Sequence, residues 1–293
     1  MSPTPRSLIL DLLSTLRRGS MPVRALVEAG ALFELDGNGV RVALARLVAS
    51  GLVESDGPGT YRMGDNASSV LGQVASWRAT ESRLRPWKQG WIGVHTATVP
   101  RSDRRSRRKM ERALRFLGFR ELDRGLEVRP DNLAGGVSAV RDRLQELGLD
   151  QTVAVFGMSD LDDDRARRAV RLWDVEALAE GYRRTLATLA ASTKKLPDLD
   201  VGEAMVESFL VGGAALRQIV LDPLLPDAIM PSDGRRELVG TMRRYDKLGR
   251  ACWAPFMRSH AIVTHNTAPS DARAIDAAEA MTMSAMITTE NNG

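Results

Sequence analysis

Cysteine and histidine are scarce in this sequence, which has one cysteine and three histidines in 293 residues. The single cysteine, Cys252, excludes an intramolecular disulfide framework and is typical of a reducing, cytoplasmic protein. The histidines run from His95 to His265, and together with Cys252 they do not form a ligand set with the usual spacing of a zinc site. We therefore expect neither a metal nor another cofactor.

Long apolar runs and the common catalytic motifs are absent as well. Nowhere do eighteen apolar residues follow one another, so no membrane span is expected. The amphipathic start lacks a small-residue cleavage site and is not expected to be a signal peptide. Without a G-x-S-x-G motif, a P-loop or a dinucleotide fingerprint, the sequence gives no support for an enzyme. The net charge of +4 permits a polyanionic partner without requiring one.

Residues 1–65 follow the order of a winged helix-turn-helix. Leucines at helical spacing predict a first helix that Gly19 ends, and 22–29 fits a second. A third helix is predicted to begin near Asn38. Two short strands then flank the Gly/Pro-rich turn at 55–59 and form a hairpin. These residues contain seven arginines and seven acidic residues, so the prediction does not rest on basicity.

The predicted third helix has two different faces. Its inward stripe consists of Val40, Ala43, Leu44 and Leu47. Its outward face consists of Asn38, Val42, Ala45 and Ala49, with Arg41 and Arg46 on the flanks. A small face without acid allows close approach to DNA, where arginine reaches guanine or phosphate. The alternative is a helix buried on both sides, with its arginines paired to carboxylates.

The hairpin that follows this helix favours DNA binding, so we predict a double-stranded DNA operator as the partner. The residues expected to contact it are Asn38, Arg41, Val42, Ala45, Arg46 and, on the hairpin, Arg62. The neutral charge of 1–65 keeps a second hypothesis open, a winged helix that only scaffolds protein complexes.

The rest of the chain divides into a linker, a middle domain and a helical region, which makes the fold class α+β. Residues 66–86 predict a linker helix, 161–267 a helical C-terminal domain whose first helix covers 165–191, and 268–293 a flexible tail. Within 87–160 the predicted elements are a strand at 91–99, a helix at 102–117, two short strands at 119–129, a helix at 136–147 and a strand at 151–157. This β-α-β-β-α-β order predicts a ferredoxin-like domain for dimerisation or effector binding.

The densest charge lies on the first predicted helix of that middle domain. Its cations are Arg101, Arg104, Arg105, Arg107, Arg108, Lys109, Arg112 and Arg115. Three interpretations are open: a second phosphate contact, a site for an anionic effector, or a solvated face paired with the acidic run at 160–164.

A metal-dependent nuclease is a further alternative, which the residues do not favour. The strand at 91–97 carries no carboxylate that could hold a metal. The acidic run at 160–164 lacks the glycine and terminal glutamate of a calcium loop, and we expect it to cap a helix. Cys252 lacks the surroundings of a nucleophile and is expected to be buried.

Several segments resemble the PaaX-like transcriptional regulators, which are repressors of phenylacetate catabolism and their relatives. VRVALARLVASGLVE (40–54) leading into GTYRM (59–63) is similar to the family's recognition helix and wing. The other segments that resemble family motifs, in chain order, are WKQGW (87–91), RALRFLGF (112–119), LEVRPDNL (126–133) and LDPLLPDAIMP (221–231).

This resemblance implies a homodimeric repressor with an N-terminal winged helix, a ferredoxin-like middle and a helical C-terminal domain. It also implies an acyl-CoA effector that releases the DNA. The cluster able to neutralise the phosphates of such a ligand is Arg104, Arg105, Arg107, Arg108 and Lys109. The chain departs from the family after Pro231, where Ser232-Asp233-Gly234 replaces a tryptophan-containing stretch.

Overall fold

The computed structural model describes residues 2–14, 16, 19–64, 76–99 and 102–262. These residues form a mixed α/β structure with antiparallel sheets and a helical C-terminal region. The helices are α1 (Pro5–Ser14), α2 (Val23–Leu32), α3 (Gly37–Ala49), α4 (Arg104–Phe116), α5 (Gly136–Glu146), α6 (Asp163–Ala169), α7 (Val175–Lys195), α8 (Val201–Val220) and α9 (Asp233–Ser259). The strands are β1 (Met21–Pro22), β2 (Val53–Gly57), β3 (Thr60–Met63), β4 (Trp91–His95), β5 (Arg120–Asp123), β6 (Leu126–Pro130) and β7 (Ala154–Met158).

None of the helices in these ranges is both long enough and apolar enough to cross a membrane. The described residues group into two compact units. The first unit draws on 1–78, 184–220 and 238–262, and the second on 79–183 and 221–237. The sequence instead suggests boundaries at 65, 86, 160 and 267. The difference arises because segments that are distant in sequence contribute to one core.

One apolar core holds the first unit together. Leu8 of α1, Leu26 of α2 and Leu44 of α3 belong to one cluster with Met205 of α8 and Trp253 of α9. All five side chains are buried, and burying each one stabilises the fold by roughly 1.5–3 kcal/mol. Helix α8 and the part of α9 from residue 238 onward therefore belong to the same folded unit as the three N-terminal helices.

A small antiparallel sheet has the strand order β1-β3-β2; β1 lies between α1 and α2, and the β2–β3 hairpin follows α3. Met21 of β1 pairs with Tyr61, and Val53 of β2 pairs with Met63. Gly59 in the β2–β3 turn has a φ of 69°, a left-handed conformation that glycine adopts without strain. Three helices followed by a hairpin is the order that the sequence predicts.

The second unit contains a four-stranded antiparallel sheet in the order β5-β6-β4-β7. Helix α4 connects β4 to β5, and α5 connects β6 to β7. The central-strand residues Ile92, Val94 and Val128 are fully buried, so both central strands contribute to the core of this unit. The β-α-β-β-α-β order is the one predicted for this region.

The predicted linker helix is not formed by the described residues of 66–86. They make two short 3-10 turns, Ser76–Ala79 and Glu81–Arg83, before an extended segment leads into β4. Residues 66–75 of the prediction, and the tail predicted at 268–293, lie outside the described residues.

Two predicted elements of the second unit have different bounds in the structure. The strand predicted over 91–99 is shorter, because Thr96 donates its N–H to the Gly125 carbonyl (2.8 Å) and enters a 3-10 turn. The helix predicted over 165–191 is divided into α6 and α7. Asp174 starts the second of these helices by accepting a backbone N–H of its first turn (2.9 Å).

Candidate functional site

Helix α3 has a capped N-terminus and lies close to α2. The Asp36 carboxylate accepts a backbone N–H of the first turn (2.7 Å), and such an N-cap stabilises a helix by about 1 kcal/mol. The cap sets the start of the helix at Gly37, one residue before the predicted Asn38. At Gly30 of α2, an added Cβ would stand 2.9 Å from the Val40 side chain, so glycine allows the two helices to approach.

The outward face of α3 is exposed. Val40, Leu44 and Leu47 are buried in the core, as predicted. The exposed residues are Asn38, Arg41, Val42, Ala45, Arg46, Val48 and Ala49. Val42 is 43 % exposed, which is high for a large apolar side chain. The alternative of a helix buried on both sides is therefore wrong.

The two arginines of α3 form no ion pair within the described ranges. Arg41 donates from Nη1 to the carbonyl oxygen of Gly37 (3.2 Å), so its guanidinium lies along the helix toward the N-terminus. Arg46 lies in the last turn, where its charge interacts favourably with the helix dipole. Both guanidiniums are available to a ligand on the outward face.

The hairpin places Arg62 beside two carboxylates. Its Nη2 lies 2.5 Å from Glu54 Oε1 and its Nε lies 3.3 Å from Asp56 Oδ1. The charge of Arg62 is thus shared within the hairpin, unlike the charges of Arg41 and Arg46. A DNA phosphate would have to replace at least one of these carboxylates.

Helix α4 carries seven cations and one carboxylate. Asp103 caps its N-terminus by accepting the N–H of Ser106 (3.0 Å). Arg107 lies 3.5 Å from Glu111. The exposed cations that form no ion pair in the described part of the chain are Arg104, Arg105, Arg108, Lys109 and Arg115.

The acidic run at 160–164 pairs within its own neighbourhood. Asp162 caps α6, as predicted, by accepting the N–H of Arg165 (2.9 Å). The guanidinium of Arg165 then bonds Asp162 (2.6 Å) and Asp123 (2.9 Å). Hydrogen bonds from Arg165 and Arg168 hold the pKa of the Asp123 carboxyl below its usual range. The interpretation of α4 as a face neutralised by this run is therefore wrong.

A buried hydrogen-bond network joins three of the motif segments named above. Arg129, 1 % exposed, donates to the carbonyl of Leu117 and to Asn132 Oδ1 (3.2 Å). Asn132 in turn donates to the carbonyl of Leu224 (2.7 Å). Burial lowers the pKa of the Arg129 guanidinium to about 9, so it still carries its charge at neutral pH.

The tryptophan-containing motif belongs to the same region of the second unit. The rings of Trp91 and Trp173 are nearly parallel, at 10°, with centroids 6.3 Å apart, and Trp87 meets Trp91 edge-on at 5.3 Å. The Trp173 indole donates to the carbonyl of Gly118 (3.1 Å). An added Cβ at Gly118 would stand 2.8 Å from Pro223. The four motif segments of the second unit therefore meet in its interior.

Sequence reasoning missed a second buried polar group. Tyr182 donates its hydroxyl proton to Asp222, which also accepts the N–H of Leu224 (2.8 Å). Burial raises the pKa of the Asp222 carboxyl and of the Tyr182 phenol. Arg235, 4 % exposed, donates to Glu81 (3.0 Å). Asp222 and Leu224 lie in one motif, but Tyr182 is forty residues from Asp222, which is too distant in sequence for a local pattern to reveal the contact.

The described residues offer no group of three or more His, Cys, Asp or Glu placed to hold a metal ion. Strand β4 reads WIGVH and carries no carboxylate. Cys252 is a free thiol and is half-buried, where the sequence predicts a buried residue.

The second unit is thus a four-stranded antiparallel sheet with two crossover helices and a motif-bearing interior. Residues 84–170 match the family model described as the PaaX protein central Cas2-like domain. The chain therefore carries a PaaX-type central domain, and its resemblance to the PaaX-like regulators is confirmed over these residues.

One solved structure similar to this chain is the uncharacterized protein Rv0674 from Mycobacterium tuberculosis. The two share 24 % identity with a TM-score of 0.58, over 88 % of this chain and 99 % of that chain. At this identity the similarity concerns the fold. No curated protein matches the sequence significantly.

Proposed function

We propose that the protein is a DNA-binding transcriptional regulator in which α3 reads bases in the major groove and the β2–β3 hairpin is the wing. The observation that supports this most is the exposed, acid-free face of α3, whose Arg41 and Arg46 form no ion pair with any described residue. An α-helix about 10–12 Å across fits a major groove about 12 Å wide. The PaaX-type central domain supports the regulator class.

In this proposal each residue of the face has a role that its chemistry allows. Asn38 hydrogen-bonds adenine, Val42 contacts a thymine methyl group, and Ala45 leaves room for the helix to approach the base edges. Arg41 and Arg46 reach guanine or phosphate from the two flanks. Arg62 contacts the backbone from the wing once a phosphate replaces one of its carboxylates.

The test begins by selecting binding sites from a random-sequence duplex library with the wild-type protein. Fluorescence anisotropy then compares the wild type with Arg41→Ala on a selected duplex and on a random duplex. We expect a loss of about 1–3 kcal/mol on the selected duplex and a smaller loss on the random one. Arg184→Ala, which removes an exposed arginine of α7, is the matched control. Equal affinities for wild type and Arg41→Ala would remove Arg41 from the interface.

The same experiment separates this proposal from its alternatives. A scaffold without DNA binding selects no sequence and shifts no duplex at either low or high salt. A metal-dependent nuclease cleaves the duplex when Mg²⁺ is added.

The proposal includes a homodimer, because one winged helix gives too small an interface for strong specificity. Paired half-sites one helical turn apart, or a multiple of it, supply the rest. Sedimentation velocity at micromolar concentration, with and without the selected duplex, is expected to give a dimer. A monomer under both conditions contradicts this part.

The proposal also includes repression relieved by an acyl-CoA, as the PaaX resemblance implies. Such a ligand must bind the DNA-incompetent state more tightly, since equal affinity for both states shifts nothing. Phenylacetyl-CoA, alkyl-CoA thioesters and free CoA are titrated against the protein–duplex complex. We expect release by a thioester and not by free CoA. No release by any of them discards the effector and leaves the DNA-binding proposal intact.

A further inference from the structure

Five of the seven cations of helix α4 form no ion pair in the described residues. The helix contains seven cations and one carboxylate, Glu111, and the capping Asp103 precedes it. Glu111 lies beside Arg107, and Asp103 is held by the backbone of the first turn. The acidic run at 160–164 bonds Arg165 and caps α6, so it does not compensate α4.

The uncompensated cations lie on the outer side of the helix. Met110, Ala113 and Leu114 are buried and fix the inner side of α4 against the core. The cations that remain exposed, without an ion pair in the described residues, are Arg104, Arg105, Arg108, Lys109 and Arg115. Because an α-helix rises about 1.5 Å per residue, these residues span roughly 16 Å. A row of this length matches an extended polyanion rather than a single charged group.

We propose that the outer face of α4 is a second DNA-contact surface that binds the phosphodiester backbone independently of base sequence. This inference rests on the proposed function, which identifies DNA as the ligand, and adds a second contact surface to it. Small-molecule sites are concave and bury most of their ligand, whereas these guanidiniums stand on the exposed side of one helix. A duplex supplies its own row of phosphates, with one charge per about 1.7 Å of its axis.

The test uses the full chain and two double variants of equal charge change. R105A/R108A removes two cations from the face. R124A/R171A removes two exposed arginines of the same unit that lie outside α4. Both pairs are on the surface, and circular dichroism with thermal melting checks that each variant folds. Affinity for a random duplex and for a selected duplex is then measured from about 50 to about 300 mM salt. Over this range the affinity falls as salt rises, because binding releases counterions from the DNA phosphates.

Each phosphate contact contributes about 0.9 to the slope of log K against log salt. We therefore expect R105A/R108A to reduce the magnitude of that slope by about 1–2 and to weaken binding roughly 10-fold on both duplexes alike. R124A/R171A is expected to keep the wild-type slope. A wild-type slope in R105A/R108A overturns the proposal, as does an equal loss in the two double variants.

Two further outcomes are informative about the cause of failure. If R105A/R108A keeps the wild-type slope but loses binding of free CoA measured by calorimetry, the face is an anion-effector site and the proposal is overturned. If α3 proves not to read sequence, so that Arg41→Ala changes nothing, the slope on the random duplex still tests α4. Failure of the proposed function and failure of this inference are thereby distinguished.

Discussion

Each of the two compact units buries a carboxyl group, Asp222 in the second unit and Asp11 in the first, and the surroundings of the two groups differ. In the second unit, Arg129, Asn132 and Asp222 are almost fully buried, and each has hydrogen-bond partners. In the first unit, Asp11 of α1 is 5 % exposed, and its Oδ1 has no hydrogen-bond partner in the described structure. A satisfied buried network fixes one arrangement of the chain, whereas an isolated buried carboxyl only costs stability.

The difference shows what specifies each unit. The partners in the second unit are distant in sequence, such as Asn132 and the Leu224 carbonyl. Hydrogen bonds are directional, so they determine how these segments meet. The first unit relies on an apolar cluster that joins α1 to α8 and α9. Hydrophobic burial is non-directional, so side-chain shape contributes to the packing there, together with directional bonds such as that from the Trp253 indole to the Met205 carbonyl (3.1 Å).

The strongest test of this comparison is Arg129→Ala. The substitution removes a buried side chain and leaves the Leu117 carbonyl and Asn132 Oδ1 without their donor. We expect a loss of about 3–5 kcal/mol in unfolding free energy, from the cavity and the unsatisfied groups together. Urea unfolding measures the loss. Hydrogen exchange is expected to accelerate in peptides around 117–132 and to stay unchanged in those of α3.

Arg124→Ala is the control for this experiment, because Arg124 is exposed in the turn between β5 and β6. Its effect on unfolding free energy should stay within about 0.5 kcal/mol. A loss no larger in Arg129→Ala than in Arg124→Ala would contradict a stabilising role for the network.

Tyr182→Phe is expected to lower the free energy of unfolding by less than Arg129→Ala does, but by more than Tyr245→Phe in the first unit. The Tyr182 hydroxyl bonds a buried carboxyl group, Asp222, whereas the Tyr245 hydroxyl pairs with the neutral Ser192 hydroxyl (2.7 Å). Leaving Asp222 short of a donor should cost about 1–3 kcal/mol, and loss of the neutral pair about 0.5–1.5 kcal/mol. Thermal unfolding of both variants checks the order. The reverse order would mean that the hydrogen bond to Asp222 contributes no more to the free energy of unfolding than the neutral Tyr245–Ser192 pair does.

Much of the local structure could be predicted from the sequence because it depends on short-range patterns. The periodicity of Val40, Leu44 and Leu47 correctly predicted which face of α3 is buried. Alternating apolar runs predicted the order of strands and helices in the central domain. The limits of elements were less predictable, as at Asp174, where one capping side chain divides a predicted helix.

Long-range contacts were beyond the sequence patterns. Arg165, rather than a cation of α4, is the partner of Asp162 in the acidic run. It also bonds Asp123, and no spacing in the sequence indicates that contact. Tyr182 and Asp222 likewise meet across forty residues. Nor could periodicity predict that α8 and α9 would share a core with α1, since Met205 and Trp253 lie some two hundred residues beyond Leu8.

Asp11 shows the consequence of that shared core. An amphipathic α1 would leave Asp11 in solvent, but all eight residues from Ser7 to Ser14 are buried. Burial raises the pKa of the Asp11 carboxyl well above its usual range, and the charge of Arg217 opposes the rise only in part. The folded protein therefore holds the Asp11 proton more tightly than the unfolded chain does.

Asp11→Asn should accordingly stabilise the first unit, with an effect that grows with pH. Below about pH 3.9 the carboxyl is protonated in both states, so the wild type and the variant differ little there. As pH rises above that value, the unfolded chain releases the proton first, and the wild type loses stability until the pH passes the raised pKa of the folded state. We expect the variant to be more stable by about 1–3 kcal/mol at pH 8.

Urea unfolding from about pH 4 to about pH 8, which lies above the carboxyl pKa of about 3.9 in the unfolded chain, measures the difference in unfolding free energy between the wild type and Asp11→Asn. The exposed Asp198 provides the control Asp198→Asn, whose difference from wild type should not vary in this way. A pH-independent difference in Asp11→Asn would mean that Asp11 finds a partner or reaches solvent, and the contrast between the two interiors would then no longer hold.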